Sequence, residues 1–335
     1  MTAGQAPDPT FDVLAFGNAI VDVLAQADQA ILDRHGLEKG SMRLCDDTEA
    51  SALYEDMGPA QEISGGSAAN TVVGIASFGG RSAFVGKVRD DQLGEVFAHD
   101  IRAAGVAFEA PPAADGPSTG RCLVLITDDA QRTMSTYLGI ANQLGPGDVP
   151  DDLVSSAAVT YLEGYLWEQP EAKEAITRAA AVAHEAGRKV AFTLSDSFCV
   201  DRNRAEFVSL IESSVDIVFA NEAEITSLFE TADFDTALAT LRPMVEMAAV
   251  TRGAAGSVLV RGDRIEVVSA EPVDEVVDTT GAGDLYAAGV LYGLAVGYDL
   301  ALAGRLGSLA AAEIISHVGA RPEVSLADLA AAVIG

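Results

Sequence analysis

From Ser67 onward the chain alternates short apolar runs with longer helical patterns, and this rhythm limits its folds more than any other feature. Ala68 to Phe78 reads as a helix, Arg81 to Lys87 as a strand, and Asp91 to Ala104 as a helix closed by Gly105. After Gly145 strands are expected at Ala158 to Glu163, Lys189 to Thr193, Ile217 to Ala220, Ala248 to Arg252 and Ser257 to Arg261, with helices such as Gln169 to Ala186 and Glu222 to Phe229 between them. Strands without polar alternation, separated by helices, bury both faces, so the class expected is α/β: a central, mostly parallel sheet with helices on both faces.

Two stretches break the rhythm. Residues 27–49 hold one short strand near Ser41 to Leu44. Residues 111–141 hold a Pro/Gly-rich segment and then two alternating runs, Arg121 to Thr127 and Arg132 to Leu138, which read as a hairpin. These antiparallel-looking patches are expected to form a small β-lid. The large α/β unit then takes 11–26, 50–110 and 142–335, with Phe11 to Gly17 as first strand and Asn18 to Gln26 as a second extended run, and residues 1–10 form a loose tail.

The chain has 335 residues, 49% of them hydrophobic, which excludes wholesale disorder. Its 21 basic against 50 acidic residues leave a net charge of −29, a field that repels nucleic-acid backbones and anionic lipid, so neither is an expected partner. Solubility or adaptation to salt explains such a surface equally well. The three cysteines and four histidines are scattered, with no disulfide or zinc spacing. The N-terminus has no secretory pattern, and the most apolar stretch, Leu285 to Val296, is too short to span a bilayer. The expected setting is a reducing, cytoplasmic one.

The segment with most chemistry is Asp278-Thr279-Thr280-Gly281-Ala282-Gly283-Asp284, followed by that apolar helix. Small residues leave the first-turn amides of Gly281, Ala282 and Gly283 uncovered. Such amides have no intrahelical partners and carry roughly half a positive charge, so they accept a phosphate or a developing oxyanion. Asp284 beside them is placed to take a proton from a nucleophile. The same letters also describe an ordinary N-cap with a tight turn.

Other segments carry a similar choice. Gly65, Gly66 and Asn70, in a Gly-Gly turn opening a helix, suit a substrate that approaches the backbone and shares hydroxyls with an amide, or simply make a turn. Asn18 and Asp22 follow the first strand, where open sheets bind ligands; alternatively Asp22 lies on the polar side of an edge strand. Asn221 and Glu224 put an amide and a carboxylate on one helical turn, suited to hydrated Mg²⁺ or to helix capping. Arg132 either clamps a phosphate or pairs with Asp128 or Asp129. Thr251, Gly253 and Gly256 form either a loop over a nucleotide or a plain turn. No P-loop and no dinucleotide fingerprint occurs, which disfavours a P-loop enzyme and a dehydrogenase, and no N-terminal Asp series suggests a nucleoside hydrolase.

Taken together, Gly65-Gly66 to Asn70, Asn221 to Glu224 and Asp278 to Asp284 resemble the motifs of the PfkB carbohydrate kinases, the ribokinase-like family, in order and spacing over about 11 to 325. The resemblance implies a ribokinase-like α/β fold with a β-lid and ATP-dependent phosphorylation of a sugar or nucleoside hydroxyl. By motif position it implies Asp284 as base and the Gly281, Ala282 and Gly283 amides as anion hole. Asp22, Gly66 and Asn70 would hold substrate hydroxyls, and Asn221 with Glu224 would organise Mg²⁺. It further implies K⁺ beside the anion hole, on Asp278, Thr280 and backbone around Ile314 to Gly319. Gly17-Asn18 with Asp22, the Arg132 turn and Glu163-Gly164-Tyr165 look most like the adenosine-kinase-like members, with Tyr165 against a base. A sugar kinase of the same family and a non-catalytic ligand sensor are the competing expectations, and the assembly is expected to be a monomer or homodimer.

Overall fold

The computed structural model describes residues 8–129 and 131–334; residues 1–7 of the expected tail lie outside it. Thr10 is already tied down, its amide donating to the Ser156 carbonyl at 2.8 Å.

The strands described are β1 (Phe11–Phe16), β2 (Ile20–Gln26), β3 (Met42–Leu44), β4 (Ala60–Gly65), β5 (Ser82–Val85), β6 (Gly120–Ile126), β7 (Arg132–Tyr137), β8 (Ala157–Glu163), β9 (Lys189–Thr193), β10 (Ile217–Asn221), β11 (Met247–Thr251), β12 (Ser257–Arg261) and β13 (Arg264–Val268). They form two sheets. The larger runs β13-β12-β11-β10-β9-β8-β1-β5, parallel from β11 to β5, with β12 and β13 added antiparallel at one edge. β1 shows why it is buried on both faces. Val13 and Ala15 enter one apolar cluster, with Val72, Ile75 and Leu291; Leu14 and Phe16 enter the other, with Ile176, Phe192 and Phe207.

The smaller sheet runs β3-β7-β6-β2-β4. The expected hairpin is present as antiparallel β6–β7, with Cys122 opposite Thr136. Three expectations are corrected. Ile20–Gln26, read as part of the large unit, belongs to the small sheet, where it pairs parallel with β6 and antiparallel with β4. β4, inside a stretch also given to the large unit, joins it there. The patches are therefore not purely antiparallel, since β3 also pairs parallel with β7. The physical reason is that β2 has one buried face only: Val21 and Val23 are fully buried while Ile20, Asp22 and Leu24 are partly open, as suits a sheet covered on one side. With partners on both sides, β2 is not an edge strand.

The helix Ala282–Ala295 is apolar all round and correspondingly enclosed. It packs against Leu300–Ile315 so closely that a Cβ on Gly289 would lie 2.5 Å from the Leu306 carbonyl, and against Ser67–Ser77, where a Cβ on Gly74 would meet Ala288 at 2.7 Å. This burial fixes the helix tip relative to both sheets. No helix among the described residues is long and apolar enough to cross a membrane.

Candidate active site

A cleft of about 630 Å³ opens between the two sheets. Its walls bring together Asn18, Asp22, Gly66, Asn70, Tyr165, Asn221, Glu224, Thr280, Gly281, Ala282, Gly283 and Asp284, residues spread over most of the sequence. Gly65 and Arg132 stand just behind it, and Thr251, Gly253 and Gly256 do not line it.

Gly281 caps the helix Ala282–Ala295 at φ +78°, a left-handed conformation that favours glycine, and no side chain caps the first turn. A Cβ on Gly283 would meet nothing within 4 Å, so the tip faces open space. Asp284, in the first turn, accepts from Ser67 Oγ at 2.6 Å and from Asn70 Nδ2 at 3.0 Å. Burial pushes its carboxyl above the ordinary range, partly offset by those two hydrogen bonds and by the Arg321 guanidinium. The carboxylate is thus held in place beside an uncapped helix tip.

Gly66 opens the facing helix at φ +101°, and a Cβ there would sit 2.2 Å from the Asn18 carbonyl oxygen. Gly65 is equally constrained, since its Cβ would strike the Asp22 carboxylate at 2.4 Å. Both glycines thus serve close approach. Asp22 is pushed up to about 6 by burial, against the pull of Arg321 and Arg132. Asn70 Oδ1 is buried with no hydrogen-bond partner, an acceptor still to be satisfied.

Glu163 is the residue sequence reasoning missed. Its carboxylate, 1% exposed, accepts from the Asn18 amide at 2.7 Å, Asn18 Nδ2 at 2.9 Å and the Ala68 amide at 2.8 Å, tying β8 to the joint between β1 and β2 and to the facing helix. Burial raises it to about 7 despite these bonds. Ser67 and Arg321 were missed too. Arg321 is spent on neutral acceptors, donating to the Ser64 carbonyl at 2.7 Å and the Ala69 carbonyl at 2.9 Å. Glu163 stands in the Glu163-Gly164-Tyr165 segment, but what each of the three does follows from proximity in space.

On the opposite wall the Tyr165 amide donates to Ser195 Oγ at 3.3 Å, and Phe198, 71% exposed, stands at the mouth with Met42 and Leu44 of the small sheet. Ser195 itself holds φ +71°, a strained backbone placed directly in the site. Asn221 and Glu224 form a reciprocal capping box: Glu224 Oε2 accepts from the Asn221 amide at 3.0 Å and Asn221 Oδ1 from the Glu224 amide at 2.9 Å. The capping role is realised, yet Glu224 lines the cleft and burial raises it to about 7, with Asp196 and Asp284 adding repulsion.

One expectation needs correction, and one set of residues stands apart from the cleft. Arg132 does not pair with Asp128 or Asp129; Asp129 is taken by Lys39 at 2.5 Å, and Arg132 Nη1 reaches Asp278 Oδ2 at 2.9 Å. It lies at the start of β7, whose inner face looks toward the loop before the helix tip. Thr251, Gly253 and Gly256 stand one strand beyond the cleft: Thr251 is opposite Asn221 in the β10–β11 register, and Arg252 pairs with Glu222 at 3.0 Å.

Comparison with known proteins agrees with this geometry. The family description "pfkB family carbohydrate kinase" matches residues 51–326. An adenosine kinase from Sinorhizobium meliloti is 53% identical, covers 96% of this chain and 99% of its own, and superposes with a TM-score of 0.90. A probable sugar kinase from Rhizobium etli is 48% identical over 97% of this chain and 99% of its own, with a TM-score of 0.91. Adenosine kinase of Saccharomyces cerevisiae is 26% identical over 333 residues, 92% of this chain and 96% of that one. The ribokinase-like α/β fold expected from the motifs is the fold observed, and the chain belongs to the pfkB family of carbohydrate kinases, a sugar or nucleoside kinase.

Proposed function

We propose that the chain transfers the terminal phosphoryl group of ATP to a primary hydroxyl of a nucleoside, adenosine or a close analogue, with Asp284 as base. The observation that carries this reading is Asp284 itself: its carboxylate is fixed by Ser67 and Asn70 at an uncovered helix tip, in one cleft with Asp22 and Asn18. The acceptor hydroxyl forms the new O–P bond as its proton passes to Asp284 and the bridging O–P bond to ADP breaks. The amides of Gly281, Ala282 and Gly283 face the charge that gathers on the transferred group, so the protein's contribution is positioning and neutralisation.

Asp22, Gly66 and Asn70 hold the sugar hydroxyls, with the free Asn70 Oδ1 taking one donor. Asn18 and Gly65 shape that floor, Tyr165 presents its ring to the base, and Arg132 backs Asp22. Thr251, Gly253 and Gly256, beside Asn221, form the outer wall for the nucleotide. The small sheet acts as the lid that keeps water from the phosphoryl group. Glu224 and Asn221, locked together in their capping box, would hold Mg²⁺ only through its water shell, and the ion would shield phosphate charge.

The 53% identity to an adenosine kinase supports the nucleoside acceptor, while the 48% identity to a probable sugar kinase keeps a sugar acceptor as second reading. Release of ADP with a panel of nucleosides and sugars separates the two, and adenosine is expected to give the highest kcat/KM. Ribose or a ketohexose turning over faster would transfer the function to the second reading. Asp284→Asn should lower kcat on the order of 10²–10⁴-fold with substrate binding kept; near-normal turnover would remove Asp284 as base.

A further inference from the structure

The place where the family resemblance implies a monovalent cation is built differently in this chain. The Asp278 carboxylate has about four lone-pair directions, and all of them are taken. Oδ1 accepts from the Thr280 amide at 3.0 Å and from Thr280 Oγ at 2.8 Å. Oδ2 accepts from the Gly319 amide at 3.1 Å and faces Arg132 Nη1 at 2.9 Å. A cation needs free oxygen lone pairs, whereas the Asp278 oxygens face hydrogen-bond donors: two amides, the Thr280 hydroxyl and a guanidinium. Gly319 turns its amide to Asp278, and the Ile315 carbonyl accepts from the Val277 amide at 2.8 Å. Asp278, Thr280 and this backbone therefore do not fit a K⁺ ion.

The positive charge is nonetheless there. The Arg132 and Asp278 side chains are 9% and 6% exposed, a charge pair withdrawn from water in which either partner alone would be costly. We propose that Arg132, carried on β7 of the small sheet, is the fixed counter-charge of Asp278 and takes the place of a monovalent cation there, so that the chain needs no K⁺. A guanidinium suits the task. It stays charged at any physiological pH and is planar, so one terminal nitrogen can serve Asp278 while the other points elsewhere. Arg132 Nη2 is buried without a partner, and the side chain lines a cavity of about 240 Å³ that also contains Asp22. The arginine thus links the residue before the helix tip to the floor of the cleft, a link a bare ion would not make.

The proposal does not depend on which hydroxyl is phosphorylated, and thermal melting tests it apart from turnover. Melting and ADP release are compared in KCl, NaCl and choline chloride at matched ionic strength, for the intact chain and for Arg132→Gln. The intact chain should give the same midpoint and the same kcat in all three salts. Arg132→Gln should melt lower in choline and regain at least about 2 °C in KCl, because the vacated position then binds an ion. A several-fold activation or a clear stabilisation of the intact chain by K⁺ over choline overturns the proposal. So does an Arg132→Gln protein indifferent to K⁺, since Asp278 would then need no counter-charge. If Arg132→Gln does not fold, Arg132→Lys decides: it keeps the charge and should stay indifferent to K⁺, and a K⁺-dependent Arg132→Lys protein rejects the reading.

Discussion

Glu163 is a carboxyl group that water does not reach, and its titration should be visible in the stability of the whole protein. In an unfolded chain it titrates near 4.5; in the fold it is raised to about 7. The folded state thus favours the protonated form, and the stability this confers is present below the unfolded value and lost as pH rises through about 7. Glu224, raised to about 7, and Asp22, raised to about 6, act in the same direction. In metal-free buffer the melting temperature should fall between about pH 5 and pH 7.5, and Glu163→Gln should flatten that slope. Gln also turns its carboxamide NH2 toward either the Asn18 donors or the Ala68 amide, at a cost of roughly 1–3 kcal/mol. Asn70 offers a second test. With its buried Oδ1 unpaired, Asn70→Ala should raise KM for the acceptor on the order of tenfold, read by steady-state kinetics. Asn70 was legible in the sequence because it stands four residues after the Gly65-Gly66 turn, one helical turn into the helix that this turn opens. Glu163 was not, because it ends an ordinary strand and acquires its meaning from Asn18, 145 positions away.

At the level of elements, the two glycines of the helix tip should respond in opposite ways. Gly281→Ala forces a side chain into φ +78° and within 2.9 Å of the Ala320 Cβ, so roughly 1–2 kcal/mol of stability is lost along with activity. Gly283→Ala meets no neighbour and removes a flexible residue from a helix, so stability should hold or rise by up to about 1 kcal/mol. Its methyl group shades the tip amides, and kcat/KM for ATP should still drop, on the order of tenfold, less than the 10²–10³ for a lost donor. Melting curves and kinetics on the same two proteins check both. This motif could be read from the sequence because the chain writes it contiguously, Asp278 through Asp284. β2 could not be assigned that way. Its alternation is plain in Val21, Val23 and Ala25, but which sheet it joins is settled by pairing with β6, about a hundred positions later. β4 carries too few apolar residues to stand out, and β13 is short and interrupts its apolar residues with Glu266.

For the molecule as a whole, the α/β rhythm made the large sheet legible, while the seat of the small sheet rests on distant contacts: Val21, Val23, Leu123 and Leu125 buried in one core with Val13 and Ala15, and Arg132 with Asp278 and Arg321 with Ser64. The net charge of −29 acts at this scale as well. Self-repulsion weakens a compact state, so adding choline chloride from low ionic strength should raise the melting temperature until screening is complete; a flat curve would mean the local ion pairs already absorb it. One connection has a mechanical result. β1 in the large sheet continues into β2 in the small one across Gly17, Asn18 and Ala19 alone, and Glu163 clamps that elbow at Asn18. A tilt of the small sheet about that elbow would move Asn18 and Asp22 least and the outer rim at Met42 and Leu44 most.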